Sequence, residues 1–405
     1  MNTSDSQGVY NKRDRAITIS LTVFCQSFQA LSIGGLALLL PLIRQDLGLS
    51  FTQGGSLAAA TTLVYAFMQI PSGYLADRLS PKRLFVIGIL GATVLSLTLG
   101  LVMNYWQALA NQIAAGFFRA LLFSPGMALI TGWFPPERRA TATGLYLVGG
   151  ATGNVFFSLV GPWIATAFDW RVAFISIASL GLVAVFFLAK YGKDSPAAIE
   201  RRKVSVKDIM NLFRYPIMQI CGAIQFIRFG VMGGVTYWLP SLLVNEKDLS
   251  LPVTGILIAV QSVLMAPSVV IGGYISDRLK NPLLVIGSAL LVLSVTSALL
   301  VVTSQIFFLV VLVAVNAMFL NIYFGPLFTV PIEALGLRRA GITSGFGNFF
   351  ASLGGFSMVY ILGALKDSTG NFSSGFWTIS GMCLLGLILT LILRKVRQRA
   401  SPEDA

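Results

Sequence analysis

GYLADRLSPKR, Gly73 to Arg83, has a near copy 200 residues further on, GYISDRLKNP, Gly273 to Pro282. Both phrases join a glycine to an Asp-Arg pair and end in a turn, and both interrupt long uncharged stretches. Ala16 to Ile43 and Leu84 to Met103 lie around the first copy, and Leu283 to Thr303 follows the second. Each of these runs exceeds the ~18 residues that mark a membrane helix. Composition agrees: 55% of the 405 residues are hydrophobic and only 11% are charged, against about a quarter charged in a soluble domain. The chain reads as an all-α polytopic membrane protein.

Charged or turn-rich breaks divide it into twelve predicted transmembrane helices, near 16–43, 52–75, 84–103, 107–133, 140–168, 171–190, 213–240, 252–276, 282–303, 305–334, 340–365 and 374–393. The predicted organisation is an N-tail at 1–15, a six-helix bundle at 16–190, a linker at 191–212, a second six-helix bundle at 213–393 and a C-tail at 394–405. The first apolar run is about twice the length of a secretion signal's apolar region, so it is read as a retained span.

The basic residues orient the chain. With both termini in the cytoplasm, 23 Lys and Arg fall on the inner side, and only Arg44, Arg171, Lys247 and Lys366 on the outer. This asymmetry is the positive-inside pattern, so the net charge of +13 is a topology signal. Spread over membrane-flanking loops, the charge forms no patch for nucleic acid. Trp106, Trp163, Trp170, Trp238 and Trp377 fall at outer ends of predicted spans and Trp133 at an inner end, as an aromatic belt would place them. Cys25, Cys221 and Cys383 are isolated in apolar helices and there is no histidine. No metal site or cofactor is expected.

The duplication extends beyond the opening phrase. Pro41 followed by Leu49-Ser50 corresponds to Pro240 followed by Leu249-Ser250, and Arg138-Arg139-Ala140 with Gly144 to Arg338-Arg339-Ala340 with Gly345. Two pseudo-symmetric six-helix bundles in tandem place a pathway between them.

Twelve spans, a central basic linker and the loop motif of Gly73, Asp77, Arg78, Lys82 and Arg83 resemble the major facilitator superfamily across essentially the whole chain. The second copy keeps Gly273, Asp277 and Arg278 and replaces the basic pair by Asn281-Pro282, which is also usual for that family. The resemblance implies alternating access, with the loop acting as a latch on the outward-facing state. A solvated turn that only fixes topology is the competing reading. Glu333, six residues before Arg339, matches the acid and base that the family often uses to brace the inner gate.

FFRALLFSP followed by WFPPERRATATGL, ending at Leu145, looks like the segment around spans 4 and 5 of the organic-anion carriers called anion:cation symporters. Two positions depart from that branch. Gln112 stands where an arginine is usual, and Arg119 where many members carry an acid, so a proton mechanism built on those carboxylates does not carry over.

Arg119 and Arg228 are the two basic residues outside loops and tails, near the middle of spans 4 and 7. An arginine at mid-bilayer costs about 2.5–3.5 kcal/mol, so it should face a polar cavity or a partner. The acids lie in tails, loops or helix ends, and none is deep enough to pair with these two. Spans 1, 4, 7 and 10 line the cavity in the family, which implies a cationic site at the midplane for a carboxylate, sulfonate or phosphate held by forked guanidinium donors. Gln225, three residues before Arg228, shares its face. Gln26, Gln29, Asn321 and Tyr323 are candidate neutral ligands, and Phe117, Phe118, Phe123, Phe226 and Phe229 candidate walls. The competing readings are tethers to backbone carbonyls for the arginines, helix glue for the amides and packing for the phenylalanines. Gly149, Gly150, Gly153, Gly354 and Gly355 are expected to permit close helix contact.

The expected function is a monomeric secondary carrier of a small organic anion in the bacterial inner membrane. Uptake is coupled to a proton or to a counter-anion. An exporter of drugs or metabolites and a transporter-like solute sensor remain as alternatives.

Overall fold

The computed structural model describes residues 12–32, 34–135, 138–194, 214–335 and 340–399. Nearly all of them are helical, because a chain surrounded by hydrocarbon must satisfy its backbone polar groups within each segment. In chain order the helices are α1 (Lys12–Gln29), a 3-10 turn (Ala30–Ser32), α2 (Gly34–Leu47), α3 (Phe51–Arg78), α4 (Pro81–Leu99), α5 (Tyr105–Ala120), α6 (Phe123–Thr131), α7 (Arg139–Ala167) and α8 (Trp170–Tyr191). They continue with α9 (Pro216–Asn245), α10 (Leu251–Leu279), α11 (Pro282–Val302), α12 (Ile306–Ile322), α13 (Phe324–Leu335), α14 (Ala340–Thr369) and α15 (Ser373–Arg399). Among the described residues, eleven helical stretches are long and apolar enough to cross a membrane. The 28-residue α3, richer in Thr, Ser and Gln, completes the twelve.

The twice-written phrase ends one helix and starts the next. Within the first copy, Ser80 caps α4, its hydroxyl accepting from the Arg83 N–H at 3.1 Å, with Pro81 at the first helical position. At the end of the second, Lys280 turns the chain with φ of 49° and Asn281 caps α11, accepting from the Leu284 N–H at 3.2 Å, again before a proline. A side-chain acceptor followed by proline suits a helix start, where the missing N–H of proline would have had no partner.

The chain divides into two compact units, Met1–Leu36 with Phe67–Arg201, and Ala37–Ala66 with Arg202–Ala405. Packing within them repeats. In the first unit α1 lies on α7 and α4 on α8; in the second α9 lies on α14 and α11 on α15. The first contact of each set is made by glycine, as the sequence predicts. A methyl at Gly153 would overlap the carbonyl of Ser27, and one at Gly354 that of Phe226.

Spans 1, 4 and 10 are not continuous. Span 1 passes through the 3-10 turn, span 4 breaks between Ala120 and Phe123, and span 10 breaks at Tyr323. Pro125 and Pro326 each stand two residues inside the restarted helix, where they withhold an N–H from the turn before. The loosened carbonyls find other partners. In the first unit Ser72 donates to Ala120 O at 2.7 Å and Tyr146 to Leu122 O at 3.0 Å. In the second, the bare backbone at Gly272 comes against Ile322 O.

Half of the tryptophans depart from the aromatic-belt reading. Trp106, Trp163 and Trp377 are exposed, whereas Trp133, Trp170 and Trp238 are buried in protein. Period and position along a span say that a side chain is near an end, but not whether a neighbouring helix covers it. All three cysteines are buried and free.

Candidate functional site

Arg228 lies midway along α9 and is 1% exposed. One helical turn earlier Gln225 accepts its Nε–H through Oε1 at 2.9 Å. The guanidinium lies 4.7 Å from the ring centroid of Phe324 and 5.2 Å from that of Phe229. Beside Phe324 is Tyr323, whose phenol is within electrostatic reach of Arg228. Its hydroxyl is buried with no hydrogen-bond partner among the described residues. The break in span 10 therefore presents a phenol and a ring to the arginine, which an unbroken helix would place differently. From α14, Gly347 lies beside Gln225, where an added methyl would make an ordinary contact 3.5 Å from Nε2.

Among the described residues Arg228 makes no ion pair, and its two terminal nitrogens donate no hydrogen bond. The ion pairs described are Lys193–Asp14 and Lys366–Glu246. Two cation–π contacts, worth about 0.5–2 kcal/mol each, and the bond to Gln225 offset part of the cost of burial. They leave the forked end of the guanidinium, the part that matches a carboxylate, available.

In the first unit Arg119 is half-buried and immediately precedes the break in span 4. Gln26 and Gln29 are brought together, Gln26 donating through Nε2 to Gln29 Oε1 at the last turn of α1. Gln26 also packs against Gly149 of α7, and its own Oε1 is buried with no partner among the described residues. Asn321 is half-buried at the last turn of α12. The phenylalanines divide. Phe229 flanks Arg228, Phe118 is seated on Gly91 of α4 as packing, and Phe117 and Phe123 are exposed. Phe324, absent from the sequence reading, could have been found from the repeat, because Phe324-Gly325-Pro326 stands at the second break as Phe123-Ser124-Pro125 does at the first.

Gln112, which departs from the anion:cation symporters, is buried and donates to Asn111, which in turn holds α4 by donating to Leu95 O and Thr98 Oγ1, both at 2.9 Å. Asn111, bonded by Gln112, ties α5 to α4.

Of the proposed latch, Lys82 is tied to the end of α8. Its Nζ donates to Ala189 O at 2.9 Å, a favourable place for a cation at a helix C-terminus, and its N–H donates to Asp194 Oδ1 at 3.0 Å. Arg83, Asp277 and Arg278 are exposed. The side chains of Gly73, Asp77, Arg78 and Glu333 lie outside the described residues, as does the whole of Arg339.

Comparison with known proteins places this architecture. The model of the Major Facilitator Superfamily matches residues 22–359. The chain is 24% identical over 381 residues to a hexuronate transporter of Bacillus subtilis (strain 168), covering 89% of this chain and 90% of that protein. It is 23% identical over 384 residues to a D-galactonate transporter of Escherichia coli O6:H1, covering 87% and 89%. Among solved structures it is similar to a bacterial homolog of the human lysosomal transporter Spinster, with a TM-score of 0.83 at 16% identity over 98% of this chain and 100% of that one, a likeness of fold. The family match spans most of the chain, and the protein belongs to the Major Facilitator Superfamily.

Proposed function

We propose that this membrane transporter carries a small organic anion, with Arg228 as its principal anion ligand. The observation that carries the reading is the environment of Arg228: a buried guanidinium, positioned through Nε by Gln225 and flanked by two rings, with no carboxylate partner among the described residues. A buried charge of this kind is retained where something compensates it during function, and an anionic cargo does so. Tyr323, its hydroxyl unpartnered among the described residues, is a second ligand. The two relatives are named for a hexuronate and a D-galactonate, both carboxylates.

Alternating access moves the cargo, and the cycle is coupled either to a proton or to exchange for a second anion. The site lies in a bacterial inner membrane with both termini in the cytoplasm. The loop residues around Asp77 and Asp277, with Glu333 and Arg339, act on the balance between conformations.

A thermal-shift screen of the purified protein over carboxylates, sulfonates and phosphates tests the reading. At least one organic anion should raise the melting temperature of the parent and leave Arg228→Lys unmoved. Stabilisation confined to neutral or cationic solutes would refute it.

A further inference from the structure

At the opposite end of the second unit from the basic loops, the start of α3 is held by a side chain 315 residues away in sequence. Ser50 and Gln53 form a reciprocal capping box: Gln53 N–H donates to Ser50 Oγ at 3.1 Å, and Ser50 N–H to Gln53 Oε1 at 3.0 Å. That leaves the N–H groups of Phe51 and Thr52, the first two of the helix, without local acceptors. Asp367 of α14 takes both, at 2.9 and 2.6 Å, and also accepts from Thr52 Oγ1 at 2.6 Å. A carboxylate at a helix N-terminus is favourably placed for charge as well as for hydrogen bonding.

The surroundings show a contact built to close tightly. A methyl at Gly363 would come 2.5 Å from Phe51 O, and one at Gly55 2.7 Å from Val359 O, so α3 and α14 touch backbone to backbone. Tyr237 of α9 donates to Gly54 O at 2.6 Å, and Trp238 to Val359 O at 2.8 Å. Phe51 lies between Trp238 and Phe372, with the Arg44 guanidinium 3.2 Å from its ring centroid. The corresponding helix start in the second repeat, at Ser250 and Leu251, has no side-chain cap hydrogen bond. The arrangement is thus specific to one repeat.

Residues 44–55 belong to the first sequence repeat, while α9 and α14 belong to the second. We propose that Asp367 pins a clasp between these repeats, and that opening it, with exchange of its three hydrogen bonds for water, is a step of the transport cycle. Asp367 is a positioning residue, acting through α3 without touching cargo. The proposal goes beyond the anion reading and does not depend on which solute is carried.

The test uses the full chain in detergent, with Cys25, Cys221 and Cys383 replaced by serine and a single reporter, Ala59→Cys. Ala59 is 1% exposed and lies on α3, one turn beyond Gly55. The readout is the alkylation rate with a water-soluble maleimide, with no cargo present, so its outcome is separate from that of the substrate screen. Asp367→Ala should raise the rate about 5- to 30-fold, the weight of a lost cap, and Thr52→Val, which removes one of three donors, should raise it less. Should Asp367→Ala fail to fold, Gly363→Ala parts the same two backbones from the other side and should also accelerate alkylation. An unchanged or slower rate in the folded variants would show the contact to be static and overturn the proposal.

Discussion

Arg228 and Lys366 are both buried cations, yet they differ in what satisfies them. Lys366 is paired with Glu246 at 2.5 Å and donates to Gly370 O at 2.9 Å, so its charge is consumed by structure. Arg228 has an amide and two aromatic rings, none of which cancels a charge. Arg228→Lys therefore keeps the charge and loses the fork that Gln225 orients. Its loss of one charge-assisted bond, about 1.5–3 kcal/mol, should lower kcat/KM for the anion roughly 10- to 150-fold in a proteoliposome uptake assay. Uptake at the parent rate would remove Arg228 from the site. At this scale the sequence was informative in part. An arginine in an apolar run is visible as a costly residue, whereas the partner that makes it structural or functional lies on another helix.

At the scale of elements, glycine spacing and proline position decide which helices touch and where they break. Gly153 and Gly354 stand 201 residues apart and each admits the carbonyl of a crossing helix. Gly354→Leu should separate α9 from α14 and lower the melting temperature by several degrees. Gly144→Ala, at a glycine with nothing within 4 Å of an added methyl, should leave it unchanged or raise it, since alanine favours a helix by about 1 kcal/mol over glycine. Differential scanning fluorimetry of the two variants checks both signs. The glycines were legible as packing residues because only they let backbones meet. The helix breaks are not legible in the sequence, although Pro125 and Pro326 stand beside them. A proline in a long apolar run is compatible with a kink as well as a restart, and carbonyl partners such as Ser72 and Tyr146 come from elsewhere in the fold.

For the whole molecule, charge asymmetry predicts the topology. The native cysteines are buried, so an added cysteine reports against a low background. Placed in the linker at 191–212, it should resist an impermeant thiol reagent in intact cells, while Ser250→Cys, beside Lys247, should react. Reversed labelling would invert the assignment of the termini. Asp77→Asn should slow transport while leaving the affinity for cargo within about twofold, since a latch residue alters the balance of conformations and not the contacts of the ligand. Equal transport by the variant at equal expression would return Asp77 to the role of a topology residue.

The amino-acid sequence by itself determined that this chain is a twelve-span membrane protein made of two related halves, because hydrophobic length, the distribution of basic residues and an internal repeat are one-dimensional properties. It also marked Arg228, because a charge in hydrocarbon stands out wherever it is folded. Only the tertiary structure decided that Phe324 and Tyr323 meet that arginine at a broken helix, that Trp238 is core and not belt, and that Asp367 completes the first turn of α3. Each of these depends on which helix lies beside which, and a hydrogen bond between residues 52 and 367 leaves no periodicity for a sequence to display.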